Sequence, residues 1–294
     1  MKSKIYPFYF SLGAIVLYSL FIIIPSFMGF YYSFTDWNRY SSEVSFIGLE
    51  NFRTIFFSNV TYLRSIQNTL IFTGVTIITK TVLGLLLALL LSRGIRRLSN
   101  IHCALAYLPA VLPMIVVSIV FKSILHPSTG ILNEFLRAIG LDILAQQWLT
   151  NPKVALYSII AVDTWKGVGF IMVLLIAGLE AIPRDYYEAA QIDGANALDE
   201  MRLIILPLLL PVLTVTTVLN LIHGLKIFEI VLLLTNGGPG YATETVYTIV
   251  FKEFARGRYA VSTALSTTLF LIMAIVGFFL IRLMHKQEDT RSSS

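Results

Sequence analysis

Charge is what this sequence has least of. Asp, Glu, Lys and Arg make up 13% of its 294 residues, roughly half the share by which a soluble domain keeps its surface wet. A water-soluble monomer is therefore excluded. With 56% hydrophobic residues and a mean hydropathy of +0.77, so is a disordered chain. Cysteine is nearly missing as well: Cys103 stands alone, and one thiol closes no intrachain disulfide. The four histidines, His102, His126, His223 and His285, lie far apart in the chain, and neither HExxH, nor a Cys/His metal spacing, nor a GxSxG elbow occurs. No bound metal and no convergent catalytic set is expected, so an intramembrane enzyme is the weakest function class. The net charge of +5 does not point to nucleic acid. Its cations are scattered, with Arg93, Arg96 and Arg97 the one tight group, and no basic stripe is interleaved with aromatics. Cationic ends of membrane spans account for them.

What the chain has in abundance is apolar runs. No charge lies between Lys4 and Asp36, and a membrane crossing needs about 20 apolar residues. Spans are expected at about 5–35, 66–91, 104–125, 154–178, 206–233 and 262–281. The first is expected to kink at Pro25 and to be retained as a signal anchor, since it is rich in Tyr and Phe and has no small-residue cleavage site. The expected fold class is all-α: a polytopic transmembrane bundle of six spans forming one domain over 1–294. With the N-terminus cytoplasmic, inside segments hold ten Lys and Arg in 59 positions and outside segments eight in 87. Both termini are therefore expected in the cytoplasm. Outer segments 48–57 and 130–136 read as short interfacial amphipathic helices.

Inside the spans, Gly74-Val75-Thr76-Ile77-Ile78-Thr79-Lys80-Thr81 approaches GxxxxGK[ST], but Thr79 replaces the second glycine and no soluble helix follows. No nucleotide site is expected there. Asp163 and Lys166 are three residues apart, as are Lys226 and Glu229. On a helix that spacing lets each pair meet. Either they are neutralised structural pairs with Lys snorkelling outward, or they line a solute pathway or a proton relay. Asn220 and His223 share the face of Lys226 and Glu229, and these four are the candidate pathway residues.

The longest inside segment, 179–205, carries six acids (Glu180, Asp185, Glu188, Asp193, Asp199 and Glu200) against Arg184 and Arg202. That opposes the positive-inside trend, so either a role other than topology maintains the acids or the segment is simply a solvated acidic loop. Pro183 can open a helix, Tyr186-Tyr187-Glu188-Ala189-Ala190 favours one, and Asp193-Gly194 supplies a turn. A second helix is expected at about Ala197–Ile205.

The spacing Glu188-Ala189-Ala190, three residues, Gly194, nine residues, Ile204-x-Leu206-Pro207 resembles the EAA loop of ABC importer permeases, and Asp193 and Ala195 extend it in the manner of the carbohydrate-uptake branch. Ser33-Phe34-Thr35-Asp36-Trp37, Phe46-Ile47-Gly48-Leu49-Glu50-Asn51-Phe52, Asn68-Thr69-Leu70 and Leu234-Thr235-Asn236-Gly237-Gly238-Pro239-Gly240 resemble blocks of the maltose-type first permease subunit, in family order.

The resemblance implies a type I importer permease in the plasma membrane of a prokaryote. Its partners would be a second homologous permease, two copies of a cytoplasmic ABC ATPase, an extracytoplasmic solute-binding protein and membrane lipid. The solute would be a sugar or oligosaccharide. The chain would bind no cofactor and be no enzyme; ATP and Mg would be consumed by the ATPase subunits. Glu188, Ala189, Ala190, Asp193, Gly194, Met201, Ile204, Leu206 and Pro207 would form the ATPase-coupling surface. Met201 stands where many relatives carry an aromatic residue, and methionine still fills an apolar cleft. Glycerol-3-phosphate uptake is the near alternative, and a proton-coupled secondary transporter the distant one.

Overall fold

The computed structural model describes residues 9–94 and 99–292. Lys2, Lys4, the start of the first span, Arg96, Arg97, Ser293 and Ser294 lie outside the described residues. Among the described residues regular structure is helical, apart from one isolated bridge between Thr35 and Phe46. Five helices are long and apolar enough to cross a membrane, and a bent helix pair makes a sixth if it counts as one crossing.

Two prolines shape the helices that contain them. Helix α1 (Tyr9–Tyr18) passes through a wide turn, Ser19–Ile23, into α2 (Ile24–Tyr32). Pro25 lacks an N–H, which frees a carbonyl in the preceding turn, and widening that turn is how the chain continues. Pro207 repeats the arrangement further on. After α3 (Glu50–Arg53), the long α4 (Val60–Leu89) fills the second span.

The third expected span is not a straight rod. Helices α5 (Ser99–Val111) and α6 (Met114–Ile124) meet at 95°. Pro113 forces the preceding residue out of helical conformation, and Pro113 itself is extended, with ψ 137°. Helices α7 (Ile131–Ala138), α8 (Ala155–Glu180), α9 (Arg184–Ile192) and α10 (Ala197–Asp199) follow. From α10 the chain runs through a wide turn, Glu200–Ile205, into α11 (Leu206–Leu225), so the second inside helix is continuous with the fifth span.

That span ends eight residues earlier than expected. The helix stops at Leu225 and α12 (Glu229–Leu234) starts afresh. The broken ladder is repaired sideways, because the Thr245 hydroxyl donates to the Ile227 carbonyl at 3.1 Å. After α13 (Val246–Ala255), α14 runs from Tyr259 to Ser292. The polar tail expected after 281 is helical, as its Lys, Gln and Glu residues and the absence of Gly or Pro beyond Gly277 allow.

The chain divides into two compact units. One comprises residues up to Leu63 with Ile249–Leu271. There Trp37 packs between Tyr32 and Tyr259, at centroid distances of 4.4 and 4.8 Å, and Asn51 donates to the carbonyls of Ser33 and Thr35. Glu253 is buried and held by Arg256 and Arg258.

The other unit, Arg64–Thr248 with Ile272–Ser294, holds two apolar clusters. Phe72, Val117, Ile159, Val162, Ile230 and Val231 build one; Ala88, Met172, Leu175, Ile205 and Leu209 are central to the other. Helices α4 and α8 contribute to both, and along each of them a polar stretch separates the two.

Candidate functional site

The acidic 179–205 segment is built as two short helices around one turn. Helix α9 closes on Gly194 at φ +76°. The Gly194 N–H donates to the Gln191 carbonyl at 3.2 Å and the Ala195 N–H to the Ala190 carbonyl at 2.9 Å, which is the paired closure of a left-handed helix cap. A Cβ on Gly194 would meet nothing within 4 Å, so backbone conformation and not space requires glycine there. Asn196 then starts α10. Its side chain accepts from the Leu198 and Asp199 N–H groups, and Asp199 accepts from the Asn196 N–H in return. This capping box was not recognised in the sequence, although Asn-x-x-Asp is a legible form of it.

Glu188, Ala189, Asp193 and Gly194 are exposed, and Ala190 is half-buried. Met201 and Ile204 are half-buried against the chain's own apolar cluster, together with Tyr187. Ile205 is buried, Leu206 exposed and Pro207 half-buried. The structure therefore divides the coupling set: the Glu188–Gly194 part faces outward, while Met201 and Ile204 tie the loop to its own bundle. It also displays apolar groups that periodicity did not flag, above all Ile192 at 86% exposure, with Tyr186 and Leu198.

In the middle of the spans the ionic pairing differs from the one expected. Asp163 does not pair with Lys166. Its carboxylate lies 2.6 Å from Lys80 Nζ and 3.0 Å from His223 Nε2, while Lys166 Nζ donates to the Ala110 carbonyl at 3.0 Å. Spacing along one helix cannot show that a third helix brings a better partner, but a lone lysine inside a span does call for a carboxylate. Gly167 makes the approach possible, since a Cβ there would lie 2.9 Å from Lys80 Nζ. A hydrogen bond of 2.9 Å between the Thr79 and Thr164 hydroxyls runs alongside. Lys80 and Asp163 are almost wholly buried, whereas the His223 side chain is 44% exposed.

Lys226 and Glu229 form no ion pair among the described residues. They sit on either side of the break between α11 and α12, so helical spacing does not apply, and both are exposed. Neither of the two pairs expected from i, i+3 spacing is therefore formed among the described residues. Asn220 is buried and its amide nitrogen has no partner among the described residues. The 74–81 segment is continuous helix within α4, so its N–H groups are engaged and cradle no phosphate.

A second constellation ties the segments between helices to the bundle. Asn68 on α4 donates to the carbonyls of Ala242 and Glu244, at 3.1 and 2.9 Å, and Thr69 accepts from the Val246 N–H. The blocks Asn68-Thr69-Leu70 and Leu234–Gly240 belong to one structure: the first secures the end of the loop that the second begins. Asn133 does the same locally, bonding Pro127, Gln146 and Trp148.

Residues 80–291 match the family described as binding-protein-dependent transport system inner membrane component. The chain is 34% identical over 273 residues to the probable ABC transporter permease protein YurN of Bacillus subtilis, covering 92% of this chain and 93% of that protein. It is 34% identical over 254 residues to the trehalose/maltose transport system permease protein MalF of Thermococcus litoralis, covering 86% and 85%. It also resembles a chain in the crystal structure of a bacterial alginate ABC transporter in complex with an alginate pentasaccharide-bound periplasmic protein, with a TM-score of 0.79, 26% identity and coverage of 93% and 91%. An exposed Glu-Ala-Ala helix closed by a left-handed glycine, on a polytopic bundle whose sequence follows these permeases nearly end to end, makes this chain a member of the binding-protein-dependent transport system inner membrane components.

Proposed function

We propose that this chain is a translocating permease subunit of an ATP-driven importer for a sugar or oligosaccharide. The observation that carries the reading is the continuity of α10, the wide turn and α11 into one inside-to-membrane rod. A displacement at the exposed α9 elbow has a stiff path to Asn220 and His223. Two copies of a cytoplasmic ATPase would supply that displacement, with ATP and Mg consumed there and none bound by this chain, which is no enzyme. Glu188 can accept a charge-assisted bond from a basic ATPase side chain, Ala189 lets the surfaces approach closely, and Ile192 offers an apolar contact.

The remaining partners are a second homologous permease, a solute-binding protein outside the membrane, and lipid. The apolar window of Ser11–Tyr32 buries none of its own residues in this chain, which leaves it free for lipid or the second permease. The Lys and Arg distribution supports a cytoplasmic location for both termini. The solute class follows from the relatives, which include a trehalose/maltose permease. Alternating access then needs a bundle with two packings, biased by ATP on one side and by the loaded binding protein on the other.

The test is a cysteine at Glu188, in a chain whose Cys103 is replaced by serine, with the neighbouring subunits co-expressed. Cross-linking to the ATPase, together with calorimetric binding of a sugar by the binding protein, is expected. A cysteine at 188 that is labelled from outside the cell, or that touches no ATPase, would overturn the reading.

A further inference from the structure

We infer that α7 and the turn after it, Asp142–Leu144, form an interfacial foot resting on lipid at the boundary of hydrocarbon and headgroups, on the side of the membrane where α6 ends and α8 begins. The inference rests on the chain's crossing a membrane and on no feature of the solute. A helix at a protein surface in water needs two faces, apolar inward and polar outward. Helix α7 has three. Leu132 and Leu136 are half-buried, and Leu132 packs on the apolar cluster that contains Phe72 and Ile159. Glu134 and Arg137, three residues apart, are exposed on a second side. The third side carries Ile131, Phe135 and Ile139, spaced four residues apart and all exposed, and the turn adds Leu144 and Ile143, the latter 90% exposed.

The exposure is not that of a loose edge, because the same segment is firmly closed. Asn133 is buried. Its Nδ2 donates to the carbonyls of Pro127 and Gln146 at 3.0 and 2.9 Å, and its Oδ1 accepts from the Trp148 indole N–H at 2.8 Å and the Gln146 N–H at 3.2 Å. One amide thus clamps the chain on both sides of the foot, just past α6 and on the way to α8. At the other end Gly140, at φ +76°, donates to the Arg137 carbonyl and Leu141 to the Leu136 carbonyl, a left-handed cap that turns the chain into Asp142–Leu144. An amide is held in and satisfied while large apolar side chains are held out, the reverse of what water selects. The neighbouring helix points to what covers them. Helix α6 packs against α7 and, within the bent third span, leaves Ile115 and Ile119 exposed, as a surface in hydrocarbon does. The apolar face of α7 adjoins that surface, and its charged side is free for headgroups and water, which is the pattern of a helix lying in the interface. Through the Asn133 clamp the foot sets the height of α6 and α8 in the bilayer.

The experiment uses the importer assembled with its partner subunits in vesicles of phosphatidylethanolamine and phosphatidylglycerol. Cys103 is replaced by serine, and a nitroxide is attached to a single cysteine introduced as Phe135→Cys, Ile143→Cys, Glu134→Cys or Ile119→Cys. Relaxation of each label by oxygen, which concentrates in hydrocarbon, is compared with relaxation by a nickel chelate, which stays in water. Oxygen should prevail several-fold at Phe135 and Ile143, as it should at Ile119, and the order should reverse at Glu134. If Phe135→Cys does not assemble, Ile131→Cys reports on the same face. Nickel prevailing at Phe135 and Ile143 with oxygen prevailing at Ile119 would overturn the inference and leave the spans intact. Exclusion of both reagents at Phe135 and Ile143 would overturn it in favour of a protein cover, such as the second permease or the binding protein. Nickel prevailing at Ile119 as well would count against α6 lying in the membrane, and so against the permease reading too. Adding Asn133→Ala to Ile143→Cys should abolish the preference for oxygen there; an unchanged preference would remove Asn133 from the positioning of the foot.

Discussion

Asp163 on α8 and Lys80 on α4 lie 2.6 Å apart, both nearly inaccessible to solvent, although 83 positions separate them in the chain. Neither charge would be tolerable alone at that depth. The pair therefore fixes how α4 and α8 align, with His223 of α11 joined to it.

Removing one partner should cost far more than removing both. Lys80→Met or Asp163→Asn alone leaves a buried unpaired charge, worth about 3–5 kcal/mol of destabilisation, whereas replacing both with apolar or neutral groups is often close to neutral. The amount of folded permease in membranes, measured by fluorescence-detected chromatography, should fall sharply for each single variant and recover for the double.

Gly194→Val should uncouple transport through backbone conformation alone. The site is open, so no clash arises, but a β-branched residue at φ +76° costs at least about 1–2 kcal/mol. Uptake and solute-stimulated ATPase activity should collapse with membrane insertion unchanged. Gly194→Asn, which tolerates the left-handed region, should retain a substantial part. Equal loss in both variants would show that the bare glycine surface, and not its φ, is what matters.

Glu188→Lys should leave the fold untouched, because the side chain is exposed and makes no bond among the described residues. Expression and thermal stability should match the parent while uptake and solute-stimulated ATPase activity are lost. Normal coupled transport in this variant would remove Glu188 from the docking surface.

Asn68→Ala should loosen the outer loop. It deprives the carbonyls of Ala242 and Glu244 of their donor, each loss worth about 1–3 kcal/mol if the carbonyl stays buried. Cleavage of the 236–241 segment by a protease added outside should accelerate at least several-fold. An unchanged rate would show that Thr69 and the turn itself suffice to hold the loop.

The helical class and the approximate spans could be read from composition, because lipid demands long apolar runs with every backbone group satisfied internally. The elbow was readable too, since Glu188-Ala189-Ala190 and Gly194 are local chemistry: helix, then a residue that tolerates positive φ. The break at Pro113 and the stop at Leu225 were not read, because hydropathy averages over both.

By itself, then, the sequence determined that the chain lives in lipid, roughly where its apolar spans lie, and that a left-handed turn caps an acidic helix. Only the tertiary structure decided that Asp163 belongs to Lys80 and His223 and not to Lys166, that Asn68 secures the loop beginning at Leu234, and that Met201 packs inward. The reason is physical. Local spacing governs which groups can meet along one helix, but which charges and amides are satisfied across helices depends on how three separate rods pack.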